Sequence, residues 1–138
     1  MTGNTQHLIA SVLTTKASHG EEPDYAILDA GVNVAEYVRY EYHDIAPVTQ
    51  ALAKRTHRYR IAGPICQPGD VLYASVQLPE MQPGARVVIY DSGAYFVAAS
   101  NQFSFPRPGV AAIDADGNAK LWRRAELFED IVDRHRQR

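Results

Sequence analysis

Cys66, the chain's only cysteine, stands in Gly63-Pro64-Ile65-Cys66-Gln67-Pro68-Gly69-Asp70, between a Gly-Pro turn and an extended apolar run. A thiol at such a loop rim could exchange a proton or act as a nucleophile once its pKa is lowered. A lone cysteine reads first as a small buried hydrophobe, and no histidine adjoins this one in sequence to activate it. Tyr95 follows Gly93-Ala94, small residues that let a backbone approach a ligand closely. Its other reading is a strand-start aromatic packed into the core. Phe103 and Phe105 alternate, as core residues or as the rim of a pocket. The five histidines (His7, His19, His43, His57, His135) show no metal-ligand spacing, and a single cysteine leaves no thiol pair for zinc. No metal is expected, and most of the histidines are expected at the surface. Lys54, Arg55, His57, Arg58 and Arg60 read as a solvated face, with acidic residues elsewhere to offset them. Taken alone, these residues do not establish an activity.

Short extended runs separated by Gly/Pro punctuation must position them, the pattern of an all-β sandwich or barrel. Residues 8–13 and 25–28 read as the first two strands, parted by the polar turn His19-Gly20-Glu21-Glu22-Pro23. Residues 58–62 read as a third, halted by Gly63-Pro64. Residues 71–78 and 86–90 follow, joined through Pro79 and the Pro83-Gly84 turn. Residues 95–99 and 110–113 read as further strands, with Pro106 and Pro108 making their connection irregular. Asp116-Gly117 predicts a hairpin between Ile113 and Leu121, because that pair tolerates positive φ. In residues 125–132, the apolar pairs at 127/128 and 131/132 recur every four residues, which predicts a helix. Residues 46–55 read as a short helix or a loop.

The 138 residues amount to one domain, 1–138, too short for a (β/α)₈ barrel, which needs about 250. Apolar residues make up 46% and charged residues 22%, an ordinary soluble composition. A net charge of −2 gives no electrostatic reason for a nucleic-acid or anionic-lipid partner. No apolar run approaches the roughly 20 residues of a spanning helix. The opening Met1-Thr2-Gly3-Asn4-Thr5-Gln6 lacks the basic and apolar regions of a secretory leader. The expected compartment is the cytosol.

Read together, Asp29-Ala30-Gly31-Val32-Asn33, Tyr42-His43, Gly63-Pro64-Ile65-Cys66, Gly69-Asp70, Leu78-Pro79-Glu80, Gly84, Gly93-Ala94-Tyr95 and Arg107-Pro108 resemble one family. It is the C-terminal β domain of the fold-type III, pyridoxal-phosphate-dependent decarboxylases of ornithine, diaminopimelate and related amino acids. The resemblance runs from about Leu8 to about Val132. It implies a Greek-key-like β-barrel or sandwich with one or two short helices. It also implies an active site between the barrel of one subunit and the β domain of another. By that resemblance, Cys66 reaches the cofactor and helps return a proton after carbon dioxide leaves. Tyr95 places its hydroxyl by the cofactor phosphate, and Phe103 lines the substrate pocket.

Three departures from the family qualify those roles. Where the family commonly has an acid that binds a distal ammonium, this chain has Gln67. An amide cannot neutralise an ammonium, so the implied substrate is a small amino-acid-like molecule with a neutral or hydrogen-bonding tail. The stretch from Asn33 to Tyr42 is short and lacks the Arg-Pro pair of diaminopimelate decarboxylases. Arg39 falls nearby, but no carboxylate-binding role is carried over to it. The third departure is the barrel, which in the family supplies the Schiff-base lysine, the glycine-rich phosphate loop and the carboxylate facing the pyridine nitrogen. Lys16, Lys54 and Lys120 match no such motif, so the chain is expected to be inactive alone.

The expectation is therefore the small subunit of a split decarboxylase, completing the site of a separate TIM-barrel, pyridoxal-phosphate-binding subunit. A non-catalytic partner that regulates or stabilises a full-length decarboxylase is the second reading. A free-standing β-barrel binding module is the third. All three predict an exposed aromatic patch near Tyr95, Phe103 and Phe105, which self-association could cover.

Overall fold

Ala10 and Val12 are buried one pleat apart on a strand whose intervening and flanking positions are more open, the period-2 signature of a half-buried strand. That strand is β1 (Leu8–Lys16), in a computed structural model that describes residues 3–49 and 53–135. The chain packs as two compact units, one ending at Ser100 and the other beginning at Asn101.

In the first unit, β1 joins β2 (Asp24–Leu28), β3 (Ile45–Pro47), β4 (His57–Ala62), β5 (Val71–Leu78) and β6 (Arg86–Ile89). They form one six-stranded sheet in the order β3-β6-β1-β2-β4-β5. Every neighbouring pair is antiparallel except β2 and β4, which run parallel with Ala26 opposite Ile61. β1 pairs with β6 through Leu8–Ser11 and with β2 through Val12–Lys16, with a bulge between Val12 and Thr14. A bulge bends a strand and increases its twist, here where β1 passes from one neighbour to the other. The sheet curls into a nearly closed barrel. Across the remaining gap, the Tyr73 hydroxyl of β5 donates to the carbonyl of His43, just before β3 (2.9 Å). Burial, and then the nearby Asp44 and Tyr42, push that phenol's pKa up, so it stays a donor.

Val12, Leu28, Ile45, Ile61, Leu78, Val87 and Ile89 are fully buried, so each of the six strands supplies at least one core side chain. The turn into β6 is type II: Ala85 N–H donates to the Gln82 carbonyl (3.0 Å), and Gly84 takes φ +87° behind Pro83.

Two segments depart from the sequence expectation. Residues 96–99, expected as strand, form a short helix, α2 (Phe96–Ala99), because Tyr95 turns the chain at φ +66° and two of the next four residues, Ala98 and Ala99, favour helix. Ala46 and Pro47, expected in a helix or loop, belong to β3, while residues 50–52 of that stretch lie outside the described ones. A helical segment that sequence reading did not separate follows β2: α1 (Val32–Ala35), continued by a 3₁₀ turn over Glu36–Arg39.

The second unit holds the expected hairpin, β7 (Val110–Ile113) with β8 (Ala119–Arg123). Its turn is pinned by Asp114, whose carboxylate accepts from Asp116 N–H (3.0 Å) and Asn118 N–H (2.8 Å), while Gly117 takes φ +84°. The expected helix is shorter than its apolar spacing suggests, α3 (Phe128–Val132). Asp130 accepts from the Leu127 N–H (2.8 Å) and from both terminal nitrogens of Arg124, which sets the start at Phe128. Glu126 takes Arg107 Nε at 2.8 Å and Nη2 at 2.6 Å, Arg107 N–H at 2.9 Å and Gln102 Nε2 at 2.9 Å. Those donors, the Arg107 side chain first, hold its pKa down at about 2.

Candidate active-site edge

The cysteine loop is built around a buried carboxylate. Asp70 accepts the Val32 N–H (2.8 Å) through one oxygen and the Ile65 N–H (3.0 Å) through the other. A buried carboxylate needs such donors, since an unpaired one would be strongly disfavoured. The loop also closes on itself, with Gly63 N–H on the Asp70 carbonyl (3.0 Å) and Asp70 N–H on the Gln67 carbonyl (3.1 Å). Gly63 and Gly31 are required by proximity. A Cβ on Gly63 would lie 2.2 Å from the Gly31 Cα, and one on Gly31 would lie 2.6 Å from each Asp70 oxygen. Ile65 turns into the core while Cys66, Gln67, Pro68 and Gly69 face outward. The thiol is thus exposed at a loop rim, rather than a small core hydrophobe.

Tyr95 occupies a strained turn. Its φ/ψ of +66°/−33° is closed by Phe96 N–H on the Ala94 carbonyl (2.8 Å), a γ-turn of the rare positive-φ kind. Such a conformation costs a non-glycine residue about 1–3 kcal/mol and clusters at functional positions. The ring is 58% exposed, which excludes the core-packed reading, and it stacks on Tyr37 at 5.0 Å between centroids. Phe96 points the opposite way, into the core, edge-on to His43 (5.0 Å).

Segment 31–37 supports both features. Val32 N–H binds the cysteine loop through Asp70, and Tyr37 stacks on Tyr95. Within that segment Asn33 is buried, and its side-chain oxygen has no hydrogen-bond partner among the described residues. Sequence reasoning quoted Asp70 only as part of a motif and missed Tyr37. The available signal was the tyrosine run at 37, 40 and 42.

Of the expected site residues, Cys66 and Gln67 share one exposed loop, and Tyr95 lies in the same unit. Phe103 belongs to the second unit, where it is exposed, as is Phe105. Of the histidines, three are exposed as expected of most, and His43 is buried, donating Nδ1–H to the Tyr90 carbonyl (3.0 Å). Arg60 also departs from a merely solvated face, with Nη1 on the Tyr25 hydroxyl at 2.9 Å and its guanidinium over that ring. The second unit further exposes Trp122 and Phe128. Among the described residues, no helix is long and apolar enough to cross a membrane.

The sequence profile of the pyridoxal-dependent decarboxylase C-terminal sheet domain matches residues 4–93. The chain is 31% identical over 137 residues to a diaminopimelate decarboxylase of Archaeoglobus fulgidus, covering 97% of the chain and 32% of that enzyme. It is likewise 31% identical over 135 residues to an L-glutamyl-[BtrI acyl-carrier protein] decarboxylase of Niallia circulans, covering 90% of the chain and 31% of that protein. A crystal structure of a diaminopimelate decarboxylase superposes with a TM-score of 0.87 at 25% identity, over 96% of the chain and 34% of the enzyme. The chain spans about a third of the length of the curated relatives it matches.

Proposed function

Because the chain belongs to the pyridoxal-dependent decarboxylase C-terminal sheet domain family, we propose that it completes an amino-acid decarboxylase active site. The rest of that site would come from a TIM-barrel, pyridoxal-phosphate-binding subunit in another polypeptide. The observation that carries this reading is the joint support of an exposed thiol loop and a strained, exposed tyrosine by one segment, Gly31–Tyr37. A purely structural β domain has no need to hold a tyrosine in such a turn.

The residues present fit one edge of a cofactor site. The Tyr95 hydroxyl has no hydrogen-bond partner among the described residues and suits a phosphate oxygen, to which it would donate. Lysines 16, 54 and 120 lie outside the cysteine loop and the Tyr95 turn, so the lysine that holds the cofactor is assigned to the barrel. When bound, pyridoxal phosphate supplies the electron sink that lets a carboxylate leave as carbon dioxide. Cys66 gives its thiol proton to the substrate carbon that lost the carboxylate and regains one from solvent. A thiol in that role must remain reduced, which favours a cytosolic setting.

Gln67 sets the substrate class. Its amide pairs with a neutral or hydrogen-bonding tail and leaves a distal ammonium without a counter-charge. The Niallia relative, named for a glutamyl group on a carrier protein rather than for a diamino acid, is in keeping with that preference.

The test is turnover of the complex reconstituted with Cys66→Ala. A positioned proton donor contributes about 10²–10⁴-fold, and a loss of at least the lower figure is expected. Unchanged turnover in both Cys66→Ala and Tyr95→Phe would instead assign the chain the role of a non-catalytic regulatory partner, a reading that the loss of the family's acid at Gln67 favours. Binding of a ligand by the chain with no barrel present would point to a free-standing module.

A further inference from the structure

Tyr95 is fixed at its backbone from both sides. The γ-turn bond closes ahead of α2, and the Tyr95 carbonyl accepts the Ala99 N–H at 2.7 Å. Its side chain has no comparable anchor, being largely exposed with an unpartnered hydroxyl among the described residues. Left alone, such a ring would exchange among its staggered rotamers.

Tyr37 supplies what is missing. Its ring lies nearly parallel to that of Tyr95, with 24° between planes. Tyr37 is itself half-buried against the core. It meets Phe96 at 6.4 Å and Tyr40 at 6.2 Å. Phe96 is buried and set edge-on to buried His43. A chain of rings, His43–Phe96–Tyr37–Tyr95, therefore runs from the core to the exposed hydroxyl.

We propose that Tyr37 is a positioning residue: its stacked ring holds Tyr95 in the rotamer that presents the hydroxyl to the cofactor phosphate. This rests on the role of Tyr95 given above. Ordering the side chain before the ligand arrives removes that cost from binding.

Two readouts test it, each on Tyr37→Phe, which keeps the ring, and Tyr37→Ala, which removes it. In the full chain, nuclear magnetic resonance should show the Tyr95 ring protons shifted by their neighbour in wild type and Tyr37→Phe, and unshifted in Tyr37→Ala. In the complex with the barrel subunit, Tyr37→Ala should weaken pyridoxal phosphate binding about three- to tenfold. Tyr37→Phe should restore it, and Tyr37→Ala should add nothing on top of Tyr95→Phe. If Tyr37→Ala does not fold, Tyr37→Leu keeps the apolar bulk without the planar face.

A Tyr95 ring unmoved by loss of Tyr37 overturns the proposal. So does wild-type cofactor affinity in Tyr37→Ala when Tyr95→Phe binds more weakly, and then the phosphate role of Tyr95 stands. If Tyr95→Phe also binds normally, that role fails and the positioning proposal falls with it.

Discussion

Replacing Asp70 with alanine strands two buried donors, the amides of Val32 and Ile65. Each such loss costs about 1–3 kcal/mol, so Asp70→Ala should destabilise the first unit by ~2–6 kcal/mol in urea unfolding. A midpoint equal to wild type would show that the carboxylate does not tie the cysteine loop to segment 31–37. Gly63→Ala should be comparably harmful, because its new methyl meets both the Gly31 backbone and the Asp70 carboxylate, which its two amide donors hold in place. At this scale the sequence was partly legible. Gly63, Asp70, Cys66 and Tyr95 stood out by type and spacing, but the burial of Asp70 between two glycines did not. Contacts between residues 38 positions apart, as Val32 and Asp70 are, depend on how the sheet folds, which residue identity does not encode.

The elements were legible where one physical signal dominated. β5 follows its apolar run, and β7–β8 follow the Asp-Gly turn. Residues 96–99 were missed because Phe-Val-Ala-Ala reads apolar in either state, and the choice is made by a backbone angle at Tyr95. The limits of α3 were set by side-chain capping at Asp130 rather than by apolar spacing. The Arg107–Glu126 clamp yields a pH prediction for the second unit. Glu126 titrates near 2 in the folded chain, below its ordinary value of 4.5. Its stabilising contribution is therefore complete above the ordinary value and is lost as pH falls through the folded one. The backbone bond from Glu126 N–H to the Arg107 carbonyl should lose hydrogen-exchange protection across that acid window and not between neutrality and 4.5. Titration of the Glu126 carboxyl at its ordinary value would contradict the clamp.

For the whole molecule, family membership was legible from motif order: Gly31 and Gly63 mark positions where the fold leaves no room for a side chain, while the lone cysteine and the Gly-Ala-Tyr run stand on an exposed loop and a positive-φ turn. The exposed apolar side chains of the second unit were only partly foreseen: Phe103 and Phe105 were, whereas Trp122, at 80% exposure, was not. Large exposed apolar side chains of this kind mark a partner site, which the proposed barrel subunit would cover. The most direct measurement is purification of the tagged chain from its host, with mass spectrometry and a visible absorbance spectrum of what accompanies it. The expected result is a stoichiometric barrel protein carrying the absorbance of lysine-bound pyridoxal. A colourless chain with no barrel partner, or paired only with itself, would contradict it.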